Sequence, residues 1–235
     1  MSGHSHAKTV ARTKNAEDAK KSKAFSKMAR LISLAAKEKG GDSETNSTLK
    51  MAIEQAKTVN MPKDTIERAV KKGTGELGGD VLEEVFFEAL GPNGIAIIIE
   101  GITDNKNRTV QEIKQIISRY NGKLAGEGSI KWMFERKGSI LIEENKDIEK
   151  IELMAIEAGA EDVKEREEFV EVYTKPEELD KVKNNLEEKG LKIESVSLDW
   201  VAKEEIEGSK ESAEKLFEAL DENDAVQNVY SNIKL

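Results

Sequence analysis

The chain has 235 residues, a formal net charge of -9 and no cysteine, which excludes disulfide frameworks, thiolate nucleophiles, zinc fingers and iron–sulfur clusters. No apolar run approaches the roughly 20 residues that a membrane span needs, and the basic residues 1–24 lack the apolar core of a secretion signal. These features predict a cytoplasmic protein that does not contact membranes. The length favours two or three small domains, because a typical domain has roughly 100 to 150 residues.

Charge is distributed unevenly along the chain. Residues 1–73 contain 16 Lys and Arg against 8 Asp and Glu, whereas the remainder contains 21 against 38. A basic module beside an acidic remainder is typical of a protein whose first part meets a polyanion. The alternative is that the lysine-rich helices are simply solvated. The size of the asymmetry favours the polyanion.

The first 75 residues predict a basic helical domain. Residues 16–39 contain no Gly or Pro, and their apolar side chains recur at three- and four-residue steps, as in an amphipathic helix. Cations with the same spacing fall on the opposite side of that helix: Lys20, Lys23, Lys27 and Arg30. A second helix follows near 47–60, capped by Asn46 or Ser47, and a third near 62–72, opened by Pro62.

A glycine-rich segment, residues 73–80, predicts a linker, after which the spacing of apolar residues changes. Strands are predicted over 85–90 and 95–102, joined by a turn at 91–94. A helix after residue 109 and a strand over 130–135 complete the order ββαβ. This order indicates a small α/β domain.

Residues 137–205 predict a third domain with the βαββαβ order of a ferredoxin-like unit. Its first strand is predicted over 139–143 and its last strand over 193–201. The last helix and strand, near 213–220 and 225–230, cannot bury their apolar faces alone. We therefore expect them to return to the middle domain. The predicted fold class is α+β with three domains: a helical bundle (1–75), a discontinuous α/β domain (82–136 plus 206–235) and an inserted ferredoxin-like α/β domain (137–205).

The sequence offers no catalytic or cofactor site. Gly73, Gly75 and Gly78 match the letters of a dinucleotide-binding fingerprint, but that fingerprint follows a strand and precedes a helix, the reverse of the order here. The only histidines are His4 and His6, and no nucleophile, base and oxyanion donor occur together. We predict a protein that is not an enzyme and binds neither a cofactor nor a metal.

Two polar or aromatic segments each admit two interpretations. Residues 103–109 precede a predicted helix, where free backbone N–H groups could form an anion site with Asn105, Asn107 and Arg108. The alternative is a satisfied polar loop capped by Asn107. The other segment is Trp132, Met133 and Phe134. These side chains form either the core of a sheet or a surface on which bases stack, and only their exposure to solvent can decide between the two.

Motifs in the first 138 residues resemble those of the YebC family. They are Gly3-His4-Ser5, Asp18-Ala19-Lys20, Asn60-Met61-Pro62-Lys63-Asp64, Ile66-Glu67-Arg68-Ala69, Lys71-Lys72-Gly73-Thr74-Gly75-Glu76, Thr103-Asp104-Asn105, Asn107-Arg108-Thr109, Gly128-Ser129 and Met133-Phe134-Glu135-Arg136-Lys137-Gly138. The remainder agrees in length and element order. The resemblance implies three domains and a role in gene expression. Some members are described as DNA-binding transcriptional regulators, whereas others, including the mitochondrial translational activator of cytochrome oxidase, act on ribosomes.

The extreme N-terminus departs from the family pattern. His6-Ala7 stand where the family usually has a Lys-Trp pair, and Ala11, Thr13 and Asn15 dilute the basic run that follows. From this arm, the resemblance carries over only Lys8, Arg12 and Lys14 as contacts.

These features predict a non-catalytic, nucleic-acid-binding regulator of gene expression, a DNA-binding transcriptional regulator of the YebC type. The alternative is a ribosome-associated translation factor that binds ribosomal RNA, and a third class is a protein-binding adaptor. The expected partners are duplex DNA or ribosomal RNA, with the ribosome as an assembly partner, and the chain is expected to be a monomer or a weak oligomer. The predicted contacts are Lys8, Arg12, Lys14, Lys20, Lys23, Lys27, Arg30, Lys63, Arg68, Lys71 and Lys72.

Overall fold

The structure is a computed structural model and describes residues 18–78, 81–143, 148–165, 169–208 and 210–234. It begins with three helices, α1 (Asp18–Lys39), α2 (Ser47–Thr58) and α3 (Lys63–Gly73). The buried Asn46 caps α2, because its Oδ1 accepts the N–H of Leu49 at 3.0 Å. Its amide nitrogen also donates to the carbonyls of Ala35 and Gly40, each at 2.8 Å, and so fastens α2 to the end of α1.

The first sheet is assembled from two separate segments of the chain. Its strands are β1 (Glu83–Leu90), β2 (Ala96–Thr103), β3 (Lys123–Leu124) and β8 (Val226–Ser231), all antiparallel in the order β3-β1-β2-β8. Helices α4 (Lys106–Arg119) and α7 (Lys210–Asp221) cover one face. The C-terminal strand β8 pairs with β2, with Tyr230 opposite Ile98.

The second sheet has the ferredoxin-like arrangement. Its strands are β4 (Phe134–Glu143), β5 (Asp162–Glu165), β6 (Phe169–Thr174) and β7 (Ile193–Ala202), in the order β5-β6-β4-β7. Helices α5 (Ile148–Ala158) and α6 (Leu179–Glu188) pack on one face, over a core that includes Ile140, Val172 and Leu186. The predicted α+β class is confirmed, since a helical N-terminal region precedes two antiparallel sheets. The domain limits stay predictions.

Strand β4 differs from the sequence-based expectation of two strands over 130–135 and 139–143. Lys131–Met133 forms a 3-10 turn, and one strand runs from Phe134 through Gly138. A Cβ atom at Gly138 would lie 2.4 Å from Thr174 Oγ1 and 2.8 Å from Leu179 Cδ1. Glycine therefore permits close packing inside the strand instead of ending it.

Apolar contacts connect the helical region to the first sheet and the first sheet to the second. Leu34 of α1 packs in a buried cluster with Leu82 and Ile102. A second cluster lies between the sheets and includes Phe134 and Tyr230. These clusters set the position of the basic helices relative to the two sheets.

Candidate nucleic-acid interface

Helix α3 presents four exposed cations: Lys63, Arg68, Lys71 and Lys72. The opposite side of α3 is fixed to α1, because Ile66 and Ala69 are buried there and Ser33 Oγ donates to the carbonyl of Ala69 at 2.7 Å. A helix that buries one side presents the other to solvent. The packing of α3 therefore keeps these cations at the surface.

Most of this charge is not neutralised by neighbouring carboxylates. Lys63 lies 3.7 Å from Glu67, in an exposed pair of the kind that contributes little energy. Within the described part of the chain, no carboxylate oxygen lies within 4.0 Å of the charged groups of Arg68, Lys71 or Lys72. A cluster of uncompensated cations attracts polyanions.

A groove of about 810 Å³ lies beside these cations, between α2, α3 and residues 41–43. Its charged lining is mixed: Lys57, Lys63 and Lys71 with Asp42, Glu67 and Glu76. Carboxylates in the groove repel phosphate, so among the cations of α3 the two that do not line it, Arg68 and Lys72, are the better placed for phosphate.

The basic face of α1 contacts the turn after α7. The ammonium group of Lys23 lies 3.0 Å from a carboxylate oxygen of Glu222, and that of Lys27 lies 3.9 Å from Asp221. Burial lowers the pKa of Lys27, and the nearby Asp221 opposes this effect only in part. The side chain of Lys27 is only 13% exposed, so it differs from the solvent-facing cation expected from the sequence.

The remaining cations predicted on α1 and the preceding arm have different positions. The Arg30 guanidinium donates to the backbone carbonyl of Asp224, in the same turn that Lys23 and Lys27 contact. Lys20 is in the first turn of α1, but its side chain lies outside the described part of the structure. The arm residues Lys8, Arg12 and Lys14 also lie outside the described residues. The described contacts of α1 therefore join the helical region to the first sheet.

Several polar groups of the loop between β2 and α4 pair with one another. Asn105 Oδ1 accepts the N–H of Arg108 at 3.0 Å, and the Arg108 guanidinium lies 2.5 Å from Asp104 and 3.7 Å from Glu112. Burial raises the pKa of Asp104, but a backbone hydrogen bond and Arg108 outweigh it and hold that pKa below its ordinary value. These contacts are those of a capped polar loop. The capping residue of α4 is Asn105, whereas the sequence suggested Asn107, which is exposed.

A buried carboxylate organises the segment before β4. Glu88 is only 4% exposed and accepts backbone N–H groups from Gly128, Ile130 and Lys131 at 2.5, 2.5 and 2.8 Å. Burial raises the pKa of Glu88, but the three hydrogen bonds together outweigh it and lower the pKa overall. An ionised side chain thus holds residues 128–131 in a fixed turn.

The aromatic segment divides between core and surface. Phe134 is buried between the sheets, whereas Trp132 is 67% exposed, and its Nε1 donates to the carbonyl of Ser129 at 2.9 Å. The ammonium group of Lys131 lies 5.5 Å from the ring centre of Phe86 and 5.0 Å from that of Trp200. Because Trp132 is exposed and Phe134 is buried, only Trp132 of these two residues offers a ring on which a base could stack.

A polar cluster between the sheets has no counterpart among the sequence-based expectations. Glu100 of β2 accepts hydrogen bonds from Arg136 at 2.9 Å, from Trp200 at 2.8 Å and from Tyr230 at 3.2 Å. Tyr230 also lies 3.4 Å from the buried Asp199. These groups come from four strands of two sheets, so only the tertiary fold brings them together.

Neither a metal centre nor a membrane span is found in the described ranges. They hold no group of three His, Cys, Asp or Glu side chains that could ligate a metal. Among these same residues, no helix combines the length and the apolar character needed to cross a membrane.

Comparison with known proteins places these features in a family. Residues 5–76 match the model of the TACO1/YebC N-terminal domain, and residues 82–233 match that of the TACO1/YebC second and third domains. Similar chains include probable transcriptional regulatory proteins of Syntrophus aciditrophicus, 48% identical over 100% of this chain and 96% of the relative, and of Thermotoga maritima, 46% identical over 100% and 94%. A crystal structure of a conserved hypothetical protein from Aquifex aeolicus has a TM-score of 0.85 and 42% identity, covering 95% of this chain and 93% of that one. The chain therefore belongs to the TACO1/YebC family.

Proposed function

We propose that this protein is a non-catalytic regulator of gene expression that acts in the cytoplasm by binding duplex DNA. The names of the relatives, probable transcriptional regulatory proteins, support the regulatory role. The observation that carries DNA binding is the exposed cluster on α3, where Arg68, Lys71 and Lys72 lack carboxylate partners in the described ranges. Phosphates along a duplex are the complementary charges.

Binding through this cluster follows from electrostatics. Each Lys or Arg that neutralises a phosphate releases condensed counterions into solution, so the affinity falls steeply as salt is added. Contacts to phosphates position a protein on DNA without identifying the sequence. The cluster on α3 therefore supplies affinity and orientation.

The acidic remainder of the chain supports a directional arrangement. The segment after residue 73 contains 38 Asp and Glu against 21 Lys and Arg, and phosphate repels such a surface. The duplex would then approach the helical region and leave the two sheets free.

Charge reversal on α3 tests the proposal. In a duplex titration near physiological salt, K71E/K72E is expected to weaken binding by at least about 10-fold, because two attractive contacts become repulsive. The matched control is K175E/K181E, which reverses two exposed cations of the inserted sheet domain and is expected to retain binding. Equal affinities for the wild-type protein and K71E/K72E would exclude α3 as the contact surface.

A second candidate function is a translation factor that binds ribosomal RNA. The exposed Trp132 beside Lys131 favours it, because unpaired RNA bases stack on aromatic side chains whereas the bases of a duplex are already stacked. Co-sedimentation with ribosomes, set beside the duplex titration, separates the two functions. Ribosome binding without duplex binding would replace the first proposal with the second.

A further inference from the structure

The exposed Trp132 follows Lys131 in the chain, and the Lys131 ammonium group lies over the rings of Phe86 and the half-buried Trp200. These four residues are called the aromatic patch here, and the turn that carries Lys131 and Trp132 has a rigid support. The buried Glu88 receives three backbone N–H groups from the turn that carries Lys131 and Trp132. The indole N–H of Trp132 is tied to the carbonyl of Ser129. A side chain held in place loses little conformational entropy when a partner binds, so the exposed indole ring is preorganised for contact.

The charge of the patch is positive at its centre. The ammonium group of Lys131 lies over the rings of Phe86 and Trp200, which are 5.8 Å apart in an edge-to-face pair. Within the described part of the chain, no carboxylate oxygen lies within 4.0 Å of that ammonium group. Lys131 is exposed, so an incoming anion can reach it.

We propose that the aromatic patch binds an unpaired base of a single-stranded nucleic acid. The base would stack on the indole of Trp132, and a neighbouring phosphate would pair with Lys131. Every base has a π face, so such a site tolerates different sequences, whereas a duplex keeps its bases inside the stack. This inference rests on the proposed function in that the partner is a nucleic acid, but it uses a different domain from the cations of α3.

The combination of ring and cation favours a nucleic acid over a protein partner. An exposed tryptophan alone fits either, because protein interfaces also use tryptophan as an anchor. An adjacent exposed ammonium group, with no carboxylate oxygen within 4.0 Å in the described ranges, adds selectivity for a partner that carries one negative charge per nucleotide. Contact with a protein is therefore the outcome that would displace this proposal.

The test measures binding of the full chain to three labelled oligonucleotides: a short single-stranded RNA, a single-stranded DNA and a duplex DNA. The fluorescence anisotropy of the labelled oligonucleotide reports the binding. Trp132→Ala is expected to weaken single-strand binding on the order of 10-fold through loss of one stacked base. Trp132→Phe should recover most of the loss, and Lys131→Ala should weaken binding and reduce its salt dependence. Leu153→Ala, which removes another exposed apolar side chain that is 59% exposed, is the matched control.

The outcomes separate this inference from the proposed function. If K71E/K72E loses single-strand binding but Trp132→Ala does not, the proposal for the aromatic patch is wrong. The proposal that the cations of α3 bind nucleic acid would stand. Unchanged single-strand binding in Trp132→Ala, together with loss of self-association or of a protein complex, would identify a protein contact. Absence of binding to all three oligonucleotides in the wild-type protein would overturn both proposals. A preference for RNA or DNA in the wild type, abolished in Trp132→Ala, would identify the natural strand.

Discussion

Glu88 and Asp199 are buried carboxyl groups in opposite electrostatic settings. Three backbone N–H groups surround the carboxylate of Glu88 and stabilise its ionised form. Burial, and after it the negative charge of Glu171, raises the pKa of Asp199 to about 7, against an opposing effect of Arg136. Burial alone therefore does not set the charge of these groups, because hydrogen-bond donors and neighbouring charges also act on each carboxyl.

The raised pKa of Asp199 predicts a pH-dependent stability. Because the folded state holds this proton more tightly than the unfolded chain, the stabilisation is present below the ordinary pKa of 3.8 and is lost as the pH rises through about 7. Asp199→Asn removes this dependence. The variant is expected to gain roughly 2 to 4 kcal/mol relative to the wild type between pH 4 and pH 8.

Urea unfolding of both proteins at the two pH values measures this difference. Asp180→Asn, which changes an exposed carboxyl on α6, is the control. If Asp199→Asn and the wild type differ by the same free energy at both pH values, Asp199 is not the titrating group.

At the scale of secondary structure, the position of α3 depends on a close contact with α1. A Cβ atom added at Gly73 would lie 2.2 Å from the carbonyl oxygen of Ser33 and 2.8 Å from the Cβ of Ala36. A backbone oxygen within a helix cannot move without a large cost in free energy, so any larger side chain forces α3 away from α1. The cations on α3 would move with it.

Gly73→Ala is therefore expected to destabilise the protein by about 1 to 3 kcal/mol, the typical cost of overpacking. Thermal unfolding measures the change. Gly126→Ala is the control, because its added Cβ would meet only Ser129 Oγ at 3.4 Å. A wild-type melting temperature for Gly73→Ala would show that the α1–α3 contact can relax without cost.

The sequence predicts most helices and strands because their apolar spacing is regular. It misses β3, which has two residues and therefore no period, and it breaks β4 at Gly138, where the reason for glycine is a contact with α6. Exposed cations on α3 are also predictable from the pattern. The partners of Lys27 and Arg30 are not, because Arg30 and Asp224 are 194 residues apart in the sequence.

Polar contacts link the helical region to both sheets. Lys23 and Lys27 pair with the turn after α7, and Gln55 donates to the carbonyl of Val196 on the edge strand β7 at 3.4 Å. Lys23 and Lys27, which the sequence predicts to bind nucleic acid, are therefore partly neutralised by carboxylates of the same chain. Arg68, Lys71 and Lys72 of α3 take no part in these contacts and have no carboxylate oxygen within 4.0 Å in the described ranges, so we place the proposed phosphate contact there.

The salt dependence of duplex binding measures how many phosphates α3 neutralises. The logarithm of the association constant should fall linearly with the logarithm of the salt concentration, with a slope of roughly -0.9 for each phosphate that is neutralised. The variant R68A/K71A/K72A is expected to make that slope shallower by roughly 2 to 3, whereas K175A/K181A should leave it unchanged. A slope for R68A/K71A/K72A equal to that of the wild type would contradict phosphate binding by α3.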